Sequence, residues 1–210
     1  MNPVLESLQW RYATKQFDAS RKISTEDLET LKEAIRLSAS SYGMQPYEVF
    51  VIEDPEIRKQ LREASWGQSQ ITDASHLIVF ASKKDVTAGD TTAYVNNVSK
   101  TRNIPAGNLT GLNDMINDKV VNLPVETKAV WSAKQAYIAL GNLLSAAAQL
   151  RIDACPMEGF DPDGYNRILK LEEKGLNAAV IAAIGYRSEN DPFQGLPKVR
   201  QAAEDFFTVV

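Results

Sequence analysis

The sequence has very few residues of the kinds that form cross-links and metal sites. Its 210 residues include one cysteine, Cys155, and one histidine, His76. A single cysteine excludes an internal disulfide and is typical of a reducing compartment, so we expect a cytoplasmic protein. A single histidine excludes two-histidine metal sites, and a Ser-His or Cys-His triad would have to use His76. Because His76 precedes an apolar run, a structural role at the start of a strand is the favoured interpretation.

Long apolar runs and an excess of positive charge are also absent. No run approaches the roughly 20 apolar residues that span a bilayer, and Glu6, Gln9 and Arg11 interrupt the N-terminal apolar residues, unlike a signal peptide. The formal net charge of -4 disfavours a nucleic-acid partner. Neither a G-x-G-x-x-G nor a G-x-x-x-x-G-K-[ST] motif occurs, which excludes a Rossmann fingerprint and a P-loop. An enzyme with so few acid–base groups is expected to take its chemistry from a cofactor.

Helix and strand patterns alternate along the chain without a repeat or a linker. With 44% hydrophobic and 24% charged residues, the chain is long enough for one domain with a core, and we assign residues 1–210 to it. We predict an α+β fold in which a mixed central sheet lies between helices. The predicted helices cover residues 24–38, 56–64, 124–150, 165–171 and 198–204. The predicted strands cover residues 47–52, 77–81, 152–156, 177–185 and 206–210.

Two segments have more than one interpretation. Residues 85–123 are rich in asparagine and poor in apolar residues, which predicts surface helices and loops without a core of their own. They form either a lid over a site or a simple insertion. The apolar C-terminus, Phe206–Val210, predicts a strand. It pairs either within its own sheet or with the sheet of a second subunit, which would make an obligate dimer.

Four short clusters are candidates for a binding site, and the first two lie in the N-terminal quarter. Arg11 and Lys15 are four residues apart, so they share a face on a helical turn. An arginine fork beside a lysine suits phosphate, and a solvated surface pair is the alternative. The second cluster is Ser38–Ser41 with Gln45, whose hydroxyls and amide suit a ribityl chain or a pyrimidine edge. A plain loop at a helix C-terminus is its alternative.

The other two clusters follow residue 155. In Pro156–Phe160, Gly159 permits a close approach of the backbone to a flat ring, where a main-chain N–H could reach a ring nitrogen. Lys198 and Arg200 follow Pro197 near a predicted helix start, where phosphate binds favourably. A solvated pair is again the alternative. The order and separation of the four clusters predict the binding frame of one phosphorylated aromatic cofactor.

In this order the clusters resemble the FMN-dependent nitroreductase family. The resemblance is strongest to its oxygen-insensitive NAD(P)H nitroreductase and dihydropteridine reductase branch. It extends from Arg11 to Val210 and is weakest at residues 85–123. The residues that carry it are Arg11–Asp18, Ser38–Ser41 with Gln45 and Pro46, Asp73–His76, Ala133–Gln135 with Gly141 and Asn142, Pro156–Phe160, and Pro197–Arg200.

The resemblance implies a homodimer with two FMN sites at the subunit interface and NADH or NADPH as the electron donor. It places Arg11, Lys198 and Arg200 at the phosphate and Lys15 at the flavin N1/O2 edge. It places the main chain of Glu158 and Gly159 at N5. It also places Ser40 and Ser41 of the other subunit nearby. The full implied cofactor-binding set is Arg11, Tyr12, Ala13, Lys15, Ser38, Ser40, Ser41, Gln45, Gln68, Gln70, Pro156, Met157, Glu158, Gly159, Lys198 and Arg200. No metal and no catalytic side chain are implied, because flavin N5 carries the chemistry while Lys15, Glu158 and Gly159 tune it.

The chain departs from the family pattern at two places. Ala13 stands where members often have a serine, which removes one phosphate hydroxyl. Gln68 and Gln70 stand in a stretch where the branch often has asparagine and lysine. Gln70 can still bond to the pyrimidine edge but carries no charge, so we expect weaker stabilisation of the reduced flavin.

The implied activity is reduction of electron-poor acceptors by a ping-pong transfer of hydride through flavin N5. The candidate acceptors are nitroaromatics, quinones and dihydropteridine-type iminium compounds. Three alternatives remain open at the level of sequence. They are a family member with different flavin chemistry, such as a flavin-consuming or dehalogenating enzyme, a flavin-binding or sensing module without turnover, and a domain of this class without a cofactor.

Overall fold

An antiparallel sheet of four strands lies at the centre of the computed structural model, which describes residues 2–210. The strands are β1 (Tyr47–Ile52), β2 (His76–Lys83), β3 (Asp153–Met157) and β4 (Leu176–Gly185), in the order β1-β2-β4-β3. The α+β class is confirmed, but the sheet is not mixed, because every pair of these strands is antiparallel. Within residues 2–210, parallel pairing is limited to one isolated bridge of β3. An apolar run predicts a buried strand without revealing its direction.

Helices cover both faces of this sheet. β2 is buried along almost its whole length, as predicted for a strand that is covered on both sides. Most of the predicted helices and strands are found within a few residues of their expected bounds. The helices are α1 (Pro3–Trp10), α2 (Thr25–Arg36), α3 (Pro55–Glu63), α4 (Gln70–Asp73), α5 (Ala88–Arg102), α6 (Thr110–Ile116), α7 (Val125–Gln149), α8 (Pro162–Ile168) and α9 (Ala203–Phe206). Among residues 2–210, no helix combines the length and the apolar character that crossing a membrane requires.

Local signals explain where these helices begin. The Ser24 side chain accepts the Asp27 main-chain N–H at the start of α2, and Leu28, Leu31 and Ile35 follow on its buried face. Helix α8 begins three residues before its predicted start.

Asp161 caps α8 and Pro162 occupies its first turn, where a missing N–H costs nothing. The apolar face of α7, with Ala136, Leu140 and Leu143, packs on one side of the sheet. Helices α3 and α8 contribute to the apolar cluster on the other side.

The polar segment 85–123 is helical, as predicted, but it does contain a small core. Val86, Ile116 and Val120 form an apolar cluster, against which Trp131 of α7 packs. The buried ammonium of Lys128 donates to the carbonyls of Val86 and Val121. The prediction of a segment without a core is therefore wrong, because its apolar residues are far apart in sequence and converge only after folding.

The C-terminal prediction also needs correction. Residues 196–202 are not helical, and a short helix forms only at Ala203–Phe206. The Lys198 ammonium instead donates to the Arg11 carbonyl, a contact between the chain ends that local propensity does not reveal. Residues 207–210 form no strand with the described part of their own chain, and Val209 and Val210 are exposed.

Candidate functional site

The first basic cluster lies in an extended segment and not on a helical turn. Helix α1 ends at Trp10, and Arg11 has extended dihedral angles. The segment then runs beside β3 through a parallel bridge between Ala13 and Ala154. Side chains four residues apart also share a side of an extended chain. Arg11 and Lys15 therefore still line the same cleft.

This cleft brings the first and last basic clusters together. Its volume is about 640 Å³, within the range of small-molecule sites. One wall comes from the end of α1 and the segment after it, and the other comes from the chain after β4. The predicted site residues that line it are Arg11, Tyr12, Ala13, Lys15, Pro156, Lys198 and Arg200.

Three cations in the cleft lie close enough to repel one another. Burial lowers the pKa of the Arg11 guanidinium, and Arg200 lowers it further. Burial likewise lowers the pKa of the Lys198 ammonium, with added repulsion from Arg11 and Arg200. The buried Arg11 Nε has no hydrogen-bond partner within residues 2–210. A bound anion would offset the repulsion between the three cations.

A buried carboxylate holds the two walls of the cleft together. Asp191 is 2% exposed and accepts the main-chain N–H groups of Lys15 at 2.7 Å, Gln16 at 3.0 Å and Phe193 at 2.9 Å. Burial acts to raise the pKa of this carboxyl, but the N–H donors outweigh it and hold the pKa below its usual value. Asp191 thus stays ionised and fixes the backbone of Lys15.

A second buried carboxylate orders the floor of the site. Asp153 accepts the Thr14 hydroxyl at 3.2 Å and both the main-chain N–H and Nε of Arg187 at 2.8 Å. The Arg187 guanidinium lies over the rings of Trp10, at 4.3 Å, and Tyr12, at 4.6 Å. This network aligns the first cluster with the ends of β3 and β4.

The sequence patterns did not single out three functional residues: Asp153, Arg187 and Asp191. One signal was available for the first two, because a charged residue at the start of a buried strand requires a partner. Asp153 begins β3, and Arg187 follows β4 by two residues. No comparable local signal marks Asp191, because its acceptor role depends on contacts with residues 15 and 16.

The serine cluster does not line this cleft. The Ser38 hydroxyl accepts from Asn142 at 2.9 Å, the Ser40 hydroxyl accepts the Gln45 N–H at 2.9 Å, and the Ser41 N–H donates to Gln135. The backbone of Gln45 is left-handed, with φ 45°. That conformation is unusual for a residue other than glycine and often marks a functional loop.

The third cluster is divided by the structure. Pro156 lines the cleft, whereas Met157 is buried in the apolar core. The Glu158 carboxylate accepts the Tyr137 hydroxyl. Burial, and then this carboxylate, raise the pKa of Tyr137 to about 12.

Gly159 and the two glutamines form a separate group. The Gly159 carbonyl accepts the Gln68 amide at 2.7 Å. Gln70 is buried beside the Cys155 thiol, whose pKa is raised chiefly by burial. Like Met157 and Glu158, these residues do not line the 640 Å³ cleft of their own chain.

The chain matches one protein family along most of its length. Residues 8–186 match the model of the nitroreductase family. A relative from Staphylococcus saprophyticus, provisionally named an NAD(P)H nitroreductase, is 39% identical over 96% of this chain and 94% of its own. YfkO of Bacillus subtilis, with the same provisional name, is 36% identical over 96% of this chain and 95% of its own.

Solved structures share the fold at lower sequence identity. A nitroreductase-like protein from Streptococcus mutans superimposes with a TM-score of 0.86 at 19% identity, covering 100% of this chain and 99% of that one. A provisionally named nitroreductase from Exiguobacterium sibiricum, solved in complex with FMN, gives a TM-score of 0.83 at 19% identity, covering 99% and 97%. At this identity the likeness establishes the fold.

Proposed function

Because the chain belongs to the nitroreductase family, we propose that it is a cytoplasmic, homodimeric, FMN-dependent oxidoreductase. Its electron donor is NADH or NADPH, and its acceptors are electron-poor compounds: nitroaromatics, quinones or dihydropteridine-type iminium compounds. One observation carries the proposal. The Arg11 side chain, whose buried Nε lacks a partner in the described chain, lines a cleft shared with Lys198 and Arg200.

The residues of the cleft fit a phosphorylated flavin. A phosphate would accept from Arg11, Lys198 and Arg200, and it would offset the repulsion that lowers the pKa values of the first two. Lys15 lines the same cleft, with its backbone fixed by Asp191. Its ammonium can therefore be held at the N1/O2 edge, where a cation stabilises the charge of a reduced flavin. Ala13 adds no hydroxyl to this site.

The main chain near Gly159 is suited to a hydrogen bond with the N5 edge of the flavin ring. Its carbonyl is bound by Gln68 at 2.7 Å, whereas no acceptor is found for its N–H among the described residues. A free N–H on a fixed loop can donate to a ring nitrogen, as proposed for flavin N5. FMN, when bound, supplies the atom that receives hydride from the donor and passes it to the acceptor. The protein contributes position and charge, and no side-chain acid is required.

A second subunit would complete the site. The loop with Ser38, Ser40, Ser41 and Gln45 does not line the cleft of its own chain, yet hydrogen bonds and a left-handed residue fix its shape. We assign the hydroxyls of Ser40 and Ser41 to the flavin of the partner subunit. We also assign the exposed Phe206–Val210 segment to the free edge of the partner's sheet at β1.

The absorption spectrum of fresh protein tests the proposal most directly. We expect a yellow protein that bleaches promptly when NADH or NADPH is added without oxygen, and parallel lines in two-substrate initial-rate plots. A yellow protein that does not bleach would indicate a flavin-binding module without turnover. A protein that stays colourless after incubation with FMN would reject the proposal. Product analysis separates acceptor reduction from flavin consumption or dehalogenation.

A further inference from the structure

An exposed tryptophan in a strained backbone conformation lies outside every role described so far. Trp66 is 70% exposed, and its φ is 53°. The left-handed region is unfavourable for a bulky side chain and persists only where surrounding contacts enforce it. No core packing accounts for the indole, because most of its surface faces solvent.

Several hydrogen bonds hold this turn after α3. The Trp66 N–H donates to the Glu63 carbonyl at 3.2 Å, and the Gly67 N–H donates to the Arg62 carbonyl at 2.9 Å. The Arg62 Nε returns a hydrogen bond to the Gly67 carbonyl at 3.0 Å. The Gln68 amide then bridges the turn to Gly159 at 2.7 Å. The backbone that carries the indole is therefore held in place relative to the loop that follows β3.

Gly159 lies against the indole. A Cβ at this position would lie 3.2 Å from Cζ3 of Trp66 and 3.4 Å from Nε2 of Gln68, so a larger residue would push the ring away. The glycine thus lets the indole lie close to a residue whose main-chain N–H has no partner in residues 2–210. An exposed aromatic face next to a free donor is typical of a binding surface.

We infer that Trp66 forms one wall of the acceptor subsite and selects planar aromatic acceptors by stacking. The inference depends on the proposed function, which assigns the Gly159 N–H to the reactive edge of the flavin. An electron-rich indole and an electron-poor ring attract each other in an offset stack. The backbone of the turn is already fixed by its hydrogen bonds, so little backbone freedom is lost on binding.

Two substitutions of Trp66 distinguish the effect of the aromatic ring from the effect of the turn conformation. Trp66→Asn removes the ring and accepts the left-handed backbone readily; Trp66→Phe keeps an aromatic face. With FMN-loaded protein we expect the KM for 4-nitrobenzamide to rise about 3- to 10-fold in Trp66→Asn and to stay near wild type in Trp66→Phe. The KM for ferricyanide, an octahedral acceptor that cannot stack, should not change. Equilibrium dialysis of 4-nitrobenzamide without donor should show the same loss of affinity.

Lys170→Asn is the matched control. Lys170 is exposed and also left-handed, with φ 54°, so this variant repeats the backbone change away from Gly159. It should leave both KM values unaltered.

Three results would reject the assignment of Trp66 to the acceptor subsite while leaving the proposed function intact. These are an unchanged KM for 4-nitrobenzamide, an equal rise for both acceptors, or a Trp66→Asn protein that loses its dimer, which would place the indole in a subunit contact. Wild-type protein that neither retains FMN nor bleaches with NADH or NADPH would reject the proposed function, and this inference with it.

Discussion

The carboxylate of Asp191 accepts the main-chain N–H of Lys15 at 2.7 Å, although 176 positions separate the two residues. The same oxygen accepts the Gln16 N–H, and the other accepts the Phe193 N–H. Phe193 and Lys198 belong to the same segment of the chain after β4. One buried side chain therefore aligns both basic clusters of the cleft.

Replacing Asp191 with asparagine should loosen this alignment. The amide nitrogen cannot accept an N–H, so at least one buried donor loses its partner, at a cost of about 1–3 kcal/mol in the free energy of unfolding. FMN affinity should fall as well. Urea unfolding of the flavin-free protein and fluorescence titration with FMN measure the two effects. Asp118→Asn, at an exposed residue paired with Lys119, is the control. Equal behaviour of the two variants would show that Asp191 does not organise the site.

Arg200→Ala should weaken FMN binding directly. One charge-assisted contact to phosphate contributes on the order of 1.5–3 kcal/mol. Stability without FMN should change little, because Arg200 is exposed. Arg167→Ala removes an equally exposed arginine whose carboxylate partner is 3.8 Å away, and it should retain FMN normally. Unchanged FMN affinity in Arg200→Ala would remove this residue from the site.

Deleting Phe206–Val210 should yield monomers. These residues include exposed apolar side chains and form no strand with the rest of residues 2–210. Within that range, the outer edge of β1 is also unpaired. Burying these apolar side chains on a partner would favour the dimer. Analytical ultracentrifugation of the full chain and the truncated chain decides the point. A truncated protein that remains dimeric would reject the role of the tail.

The stability of the protein should fall as the pH drops below 6.5, in part because of His76. Burial is the main cause that lowers the pKa of this imidazole below its ordinary 6.5, and Arg58 and Lys22 lower it further, against the opposing effect of Glu53. Between pH 6.5 and the pKa of the folded state, the unfolded chain binds the proton first, which favours unfolding. Above that window the group has no effect on stability.

Two measurements check this pH dependence. His76 is the single histidine of the chain, so one imidazole proton signal in the NMR spectrum reports its titration without ambiguity. We expect a midpoint below 6.5, and a smaller loss of stability between pH 7 and pH 5.5 in His76→Asn than in the wild type. A midpoint above 6.5 would mean that the Glu53 carboxylate, 3.2 Å from Nε2, outweighs burial.

Local patterns were sufficient for most of the secondary structure. Ser24 with the spacing of Leu28 and Leu31 predicted α2, and the apolar runs predicted β2 and β4. The resemblance to the nitroreductase family was confirmed by the match over residues 8–186. The assignment of sixteen residues to the cofactor stays a prediction. These signals are readable because capping, periodicity and motif order depend on neighbours in the chain.

The predictions that were wrong and the residues that were missed share one physical cause. Most of the helix expected at residues 198–204 is absent, because residues 198–202 are not helical and Lys198 contacts the Arg11 carbonyl. The strand directions, the small core around Val86 and the carboxylate of Asp191 likewise depend on pairs that are distant in sequence. Short-range propensity contains no information about such pairs.

By itself the amino-acid sequence determined the α+β class, the family, most helix and strand positions, and the residue types able to hold a phosphorylated flavin. Only the tertiary structure decided that Arg11, Lys15, Lys198 and Arg200 line one cleft, and that Asp153 and Asp191 hold it in shape. The chemical properties of each side chain are known from the sequence alone. The relative positions of these side chains are fixed only when the folded backbone brings the two ends of the chain within hydrogen-bonding distance.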